Sequence, residues 1–209
     1  MNLLSKSTPN IAIVVLAAGA SARMGEPKQL LSWKNGTLIT HTVETVLQVS
    51  SKNVLVVLGA HYELISVKIN DYPITILNNE AWREGLGKSI AYATDFLTKS
   101  NEDIEAVLFV LADQPFITVN YLNNMIDSFV PKKKSIVATS YDDKKIGVPV
   151  LFDKVYFKEL MHLRDDNGAK HILRQNESYV KALIPPNKNV DLDTKDDYNT
   201  FLSQNFEFK

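Results

Sequence analysis

The stretch Leu16-Ala17-Ala18-Gly19-Ala20-Ser21-Ala22-Arg23-Met24-Gly25-Glu26-Pro27-Lys28 combines backbone freedom with local positive charge. Glycines at 19 and 25 permit turns that aim several amide N–H groups at one point, the arrangement an anionic ligand needs. Arg23 adds a planar fork for phosphate oxygens, and Lys28 a compact point charge. The alternative is that the glycines only shape turns and both cations are solvated, since short glycine motifs recur by chance. The stretch has neither the GK[ST] ending of a Walker A loop nor the spacing of a dinucleotide-binding GxGxxG.

One carboxylate stands at a position suited to a metal. Asp113 follows the apolar run Ile104 to Leu111. A carboxylate there can hold Mg²⁺, which takes few protein oxygens and completes its octahedron with water and phosphate; it can equally be a turn aspartate before Pro115. Asp193 precedes Thr194, where it can favour the positive end of a helix. His41, His61, His162 and His171 have no partners at metal-ligand spacing and read as packing or surface residues. Trp82 reads as a core anchor or as a stacking platform.

These residues need a rigid frame. Ile11 to Ala18, Asn53 to Leu58, Ile74 to Leu77 and Ile104 to Leu111 are short β-branched runs without polar alternation, expected as strands buried on both faces of a parallel sheet. Helical spacing over Leu38 to Leu47, Tyr62 to Ile69 and Leu86 to Leu97 alternates with them, as βαβ crossovers require. Further on, Thr118 caps an expected helix through Phe129, strands are expected at Ser135 to Ser140 and Val148 to Phe152, and helices at Val155 to Leu163 and Ala169 to Arg174. Thr194 and Asp197 have capping-box spacing for a last helix reaching about Ser203. The fold class is then α/β, a three-layer α/β/α sandwich with a mostly parallel sheet, whose ligand crevice lies beyond the carboxyl ends of the strands.

With 209 residues, 45% hydrophobic and 22% charged, one sizeable core can close. A single domain over residues 11–205 behind a short extension, 1–10, is expected. The 23 basic and 24 acidic side chains nearly cancel, so no overall field draws the chain to nucleic acid or an anionic membrane. Cysteine is absent, which excludes disulfides, zinc thiolates and thiol catalysis. The first ten residues do not read as a signal peptide and no run approaches a membrane span, so a cytoplasmic location is expected. Lys132-Lys133-Lys134 after Pro131 is expected as a solvated turn.

The pattern Leu-Ala-Ala-Gly-x-Ser-x-Arg-Met-Gly-x-x-Lys from Leu16 to Lys28 resembles the signature of the MobA-like NTP transferases that activate molybdopterin. More loosely it is similar to that of sugar-phosphate and methylerythritol-phosphate nucleotidyltransferases. The resemblance extends through Val57-Leu58-Gly59-Ala60, Asn78-Asn79, Trp82 to Ser89, Asp113-Gln114-Pro115, Gly147 to Phe152, Asp166 to Lys170 and Asp191 to Thr194. Together these blocks most resemble the molybdenum cofactor cytidylyltransferase branch, including relatives that are accessory proteins for xanthine dehydrogenase. Most members of the family it resembles carry glycine where this chain has Ala112.

The resemblance implies a Rossmann-like nucleotide-diphospho-sugar transferase type of fold and a specific reaction. The terminal phosphate of molybdopterin attacks the α-phosphorus of an NTP, CTP favoured, and pyrophosphate leaves. It implies Mg²⁺ on Asp113 and Asp193, with Asp191 an open competitor of Asp193, and catalytic roles for Arg23, Lys28 and Asp113. Nucleotide binding then falls to Leu16, Ala17, Ala18, Gly19, Ala20, Ser21, Arg23, Met24, Gly25, Lys28, Gly59, Ala60, Asn78, Gly85 and Ser89, and the acceptor pocket to Gly147, Pro149, Asp166 and Gly168. A recipient molybdoenzyme or carrier is implied as partner. GTP-dependent guanylyl transfer, sugar-1-phosphate nucleotidyl transfer and noncatalytic carriage of the cofactor are the alternatives. About 200 residues leave no room for the extra carboxy-terminal domain of many sugar-phosphate enzymes, and a carrier has no need of Arg23, Lys28 and Asp113 together.

Overall fold

The computed structural model describes residues 9–205 except 52, 101, 143–144, 165, 186–190 and 193. In chain order its strands and helices are β1 (Ile11–Leu16), β2 (Ser32–Trp33), β3 (Gly36–Thr37), α1 (Leu38–Leu47), β4 (Asn53–Leu58), α2 (Tyr62–Ser66), β5 (Thr75–Asn78), α3 (Leu86–Lys99) and β6 (Ala106–Leu111). They continue with α4 (Val119–Asp127), β7 (Ile136–Asp142), β8 (Lys145–Asp153), α5 (Phe157–Leu160), α6 (Lys170–Gln175), β9 (Val180–Leu183) and α7 (Lys195–Asn205).

The main sheet runs β5-β4-β1-β6-β8-β7-β9, with β2 and β3 forming a separate two-stranded ribbon. β1 pairs in parallel with β4 and β6, and β4 with β5. β8 is antiparallel to both its neighbours, while β7 and β9 are parallel. A mostly parallel sheet was the expectation, and one reversed strand qualifies it.

Residue alternation along β1 shows why these strands lack polar positions. Ile11, Ile13 and Val15 face a core shared with Ile39, Val43 and Val46 of α1 and with Leu122 and Met125 of α4. Ala12, Val14 and Leu16 face a second core with Ile90 and Leu97 of α3, Leu160 of α5 and Ile172 of α6. Helices cover both faces, which completes the three layers. Burying either face removes apolar surface from water at about 25 cal/mol per Å², and β1 carries no polar side chain on either.

Helix starts follow local chemistry. Thr37 caps α1 in a reciprocal pair, its N–H donating to Thr40 Oγ1 at 2.8 Å. Thr118 Oγ1 accepts from Tyr121 N–H at 3.2 Å to cap α4. At α7, Asp197 N–H donates to Thr194 Oγ1 at 3.1 Å and Asp197 Oδ2 accepts from Thr194 N–H at 2.9 Å, the capping box read from spacing. The region expected as one helix from Val155 divides into a 3₁₀ turn, Lys154–Tyr156, and the short α5. Lys132, Lys133 and Lys134 are exposed in a turn, as expected of a charge run.

Candidate nucleotide and acceptor site

β1 stops at Leu16 because the next carbonyls leave the sheet. Ala17 N–H still donates to Val57 O at 2.9 Å, but Ala17 O accepts from the Gln29 side chain and Ala18 O from Ala60 N–H. The chain from there to Lys28 forms one wall of a cleft of about 470 Å³ beyond the carboxyl ends of β1 and β6, where open α/β sheets bind ligands. Leu16, Ala17, Ala18, Gly19, Arg23 and Lys28 line that wall, and Leu111, Ala112 and Asp113 line the end of β6. Gly85, Leu86 and Ser89 at the start of α3 form the opposite side, with Trp82, Arg83 and Asp166 at the rim.

Gly85 caps α3 with φ 102°, a left-handed conformation that favours glycine, and no side chain caps this end. The first turn of a 14-residue helix, through Gly85, Leu86 and Ser89, thereby lines the cleft, and a helix start is a setting that favours anions. Gly59 serves a different purpose. A Cβ there would lie 2.5 Å from Trp82 Cβ and 3.0 Å from Ala18 O, so glycine lets the loop after β4 pass behind both. The Trp82 ring is half-buried and carries the Arg83 guanidinium 4.4 Å from its centroid. It is both an anchor and part of the cleft wall.

Lys28 Nζ and Asp113 Oδ2 form an ion pair at the centre of the cleft, their side chains 18% and 14% exposed. Asp113 Oδ1 is buried and has no hydrogen-bond partner among the described residues. A carboxylate lone pair left in that condition calls for a ligand, and an oxygen-seeking cation fits it. No group of three or more His, Asp or Glu among the described residues could cage a metal alone. That donor set suits Mg²⁺, which takes one or two carboxylates and completes its shell with phosphate and water. Ala112 is buried, with its N–H on Leu16 O at 3.2 Å and its carbonyl 3.3 Å from the Thr42 hydroxyl.

Asp191 Oδ1 accepts from Gln114 Nε2 at 2.8 Å, and Leu192 N–H donates to Asp113 O at 3.1 Å. These bonds bring the Asp191 segment to the end of β6. Asp191 lines a second cavity of about 460 Å³, whereas Asp193 lies outside the described residues. The second cavity is mostly apolar, with Ile90, Ile146, Val148 and Leu173 in its walls and Gln114, Tyr141 and Asp191 at a polar end. It shares Leu86 and Leu111 with the first cavity, so the two adjoin.

Several expected site residues sit elsewhere. Met24 is buried among Leu31, Trp33, Leu38 and Leu192, where its apolar side chain belongs. Ala20, Ser21, Gly25, Gly59, Ala60 and Asn78 do not line the cleft; the Ala60 amide is engaged by Ala18 O, and Asn78 points to solvent at the end of β5. Its neighbour Asn79 is the buried one, donating to Ser89 Oγ at 3.0 Å. Of the expected acceptor residues, Gly147 and Gly168 line the second cavity and Asp166 the first. Pro149 is buried behind them with its carbonyl on Thr139 Oγ1 at 2.8 Å.

Gln29, Gln114 and Asn79 were not singled out individually by type or spacing. Their only sequence signal is a polar amide beside a motif residue, at Lys28, Asp113 and Asn78 respectively. The histidines stay out of the cleft: His41 Nε2 meets Pro115 O at 3.0 Å, and His171 is exposed on α6. Burial lowers the His41 pKa below its ordinary 6.5, with Lys34 adding to this and the Pro115 carbonyl and Glu44 opposing it.

Comparison with known proteins identifies the family and the fold. The family model of the MobA-like NTP transferase domain matches residues 13–180. Among curated relatives, nicotine blue oxidoreductase of Paenarthrobacter nicotinovorans is 31% identical, covering 84% of this chain and 87% of its own. Molybdenum cofactor cytidylyltransferase of Escherichia coli is 24% identical over 90% and 93%, and purine catabolism protein PucB of Bacillus subtilis 25% over 92% and 96%. Rv0371c of Mycobacterium tuberculosis, solved in complex with manganese, superposes with a TM-score of 0.76 at 25% identity, covering 94% of this chain and 100% of its own. A nucleotidyl transferase from Methanothermobacter has the same Rossmann-like fold, with a TM-score of 0.79 at 20% identity over 94% and 99%. The chain belongs to the MobA-like NTP transferase family and is a nucleotidyltransferase.

Proposed function

We propose that the protein transfers CMP from CTP to the terminal phosphate of molybdopterin or its molybdenum-loaded form. Pyrophosphate is released, and a molybdoenzyme such as a xanthine dehydrogenase receives the product. The observation that carries this reading is the Lys28–Asp113 pair, set between the Leu16 to Gly19 loop and a second, apolar cavity able to take an acceptor. The resemblance to the cytidylyltransferase of Escherichia coli supports cytidine and a pterin acceptor, and PucB supports the link to purine catabolism.

In this scheme an acceptor phosphate oxygen forms the new bond to the α-phosphorus as the bond to the β-phosphate oxygen breaks. The nucleophile is already anionic, so positioning and charge neutralisation supply the catalysis. Arg23 and Lys28 offset triphosphate charge, the loop and the start of α3 orient the phosphates, and Leu86 and Leu111 separate the two substrates. Asp113, with Asp193 as the second carboxylate, would hold a divalent ion that neutralises negative charge on phosphate oxygens. Manganese in the Rv0371c structure supports divalent metal use, and Mg²⁺ is the ion proposed here. The working unit is one domain over residues 11–205 acting in the cytoplasm.

The test offers purified protein Mg²⁺, molybdopterin and each of the four common NTPs, and follows pyrophosphate and the pterin dinucleotide. Turnover with CTP is expected; turnover with GTP alone would make it a guanylyltransferase. Tight pterin binding with no turnover on any NTP would favour a carrier. The relationship to nicotine blue oxidoreductase favours a second reading, an oxidoreductase acting on nicotine blue. Turnover of nicotine blue by the same preparation, with no pyrophosphate release, would establish that reading instead.

A further inference from the structure

Four successive carbonyls open the loop after β1, and each is held by the framework. Leu16 O accepts from Ala112 N–H at 3.2 Å and Ala18 O from Ala60 N–H at 3.0 Å. Ala17 O and Gly19 O both accept from one group, the Gln29 side-chain amide, at 2.9 Å each. Gln29 is 2% exposed and lies at the inner wall of the cleft. Its carbonyl oxygen accepts from Ser21 Oγ at 3.4 Å, and Ser21 Oγ in turn accepts from Lys28 N–H at 3.1 Å.

A primary amide has two N–H donors in fixed geometry, which matches two carbonyls two residues apart. This matters to an anion site, because a carbonyl oxygen turned toward a triphosphate repels it. Were Ala17 or Gly19 to rotate its peptide, a phosphate would meet an oxygen where the loop should offer an N–H. The same side chain, through Ser21, ties the Lys28 backbone to the loop and so fixes the origin of the side chain that reaches Asp113.

We propose that Gln29 is the positioning residue of the triphosphate loop: it keeps the Ala17 and Gly19 carbonyls off the bound phosphates and sets the backbone of Lys28. This rests on reading the cleft as an NTP site. Gln29 acts on the nucleotide through the loop, so its loss weakens NTP binding more than it slows transfer at saturation.

The experiment measures Mg²⁺–NTP affinity by calorimetry, and KM and kcat where turnover is found, for the wild-type chain, Gln29→Met and Gln29→Glu. Methionine fills the volume without donors, and glutamate keeps the shape while replacing the donors with oxygens. Loss of two hydrogen bonds predicts a rise of about tenfold in NTP Kd and KM. The kcat at saturating nucleotide and the KM for the acceptor should change by less than about threefold. A packing role alone would lower the melting temperature and leave the Kd of the folded protein unchanged. Wild-type Kd in either folded variant therefore overturns the proposal. Glutamate supplies the reading if the methionine variant does not fold. A wild-type chain that binds none of the four NTPs overturns the nucleotide reading itself, which separates that failure from one confined to Gln29.

Discussion

Lys28 Nζ rests on Asp113 Oδ2, closing the end of the loop after β1 onto the end of β6 across 85 positions of sequence. The ammonium thus occupies one oxygen of the carboxylate proposed to take the metal, while the other oxygen lacks a hydrogen-bond partner among the described residues. A metal–triphosphate complex offers each partner a replacement, phosphate oxygens for Lys28 and the cation for Asp113, so neither charge is left buried and unpaired.

Asp113→Asn keeps the side-chain volume and an oxygen for Lys28 but removes the negative charge. It should lower kcat by about 10²–10³, the range seen on losing one preorganised electrostatic group. Circular dichroism and the melting temperature should stay near wild type. Activity within threefold of wild type in the folded variant would deprive Asp113 of a metal role.

Lys28→Ala removes a charge-assisted contact worth about 1.5–3 kcal/mol, which corresponds to roughly 10–100-fold in nucleotide KM. Lys28→Arg should recover part of this, since the charge remains while its geometry changes. Initial-rate kinetics at varied NTP separates the variants, and an unaltered KM in Lys28→Ala would reduce the residue to a structural ion pair.

Gly59→Ala places a methyl group against Trp82 Cβ and Cγ, at 2.5 and 2.8 Å. Overpacking of this kind costs about 1–3 kcal/mol, read from the urea midpoint. Because Trp82 also lines the cleft, nucleotide KM should rise with the loss of stability. Unchanged stability would mean that the loop shifts freely away from the ring.

His41 gives stability a defined pH dependence. Its folded pKa lies below 6.5 because burial disfavours the charged ring, so between the two values the unfolded chain binds more protons and stability rises with pH. The contribution is complete above 6.5 and is lost as pH falls through the folded pKa. His41→Gln, which retains a donor for Pro115 O, should show a flatter fall in melting temperature between pH of about 7 and about 5 than wild type does. Parallel curves would assign the acid sensitivity to other groups.

The sheet was legible because burial on two faces leaves a plain mark, a run such as Ile11 to Leu16 with no polar residue, and the capping boxes because Thr194 and Asp197 act three residues apart. β2, β3 and β9 were not. Two-residue strands have no period to read, and Val180–Leu183 has exposed residues along its length. The reversed direction of β8 follows from pairing between strands, which periodicity within one strand cannot express.

For the site, the residue types between Leu16 and Lys28, and Asp113 after an apolar run, are what pointed to phosphate and metal chemistry. Tertiary structure decided which of them meet. It joined Lys28 to Asp113, sent Met24 into a core, and set a second cavity beside the first. It also gave Gln29 two carbonyls that its own sequence neighbourhood does not announce. Side-chain chemistry is a property of each residue, whereas a hydrogen bond or ion pair between distant residues depends on the path of the whole chain, and only the packed sheet and helices fix that path.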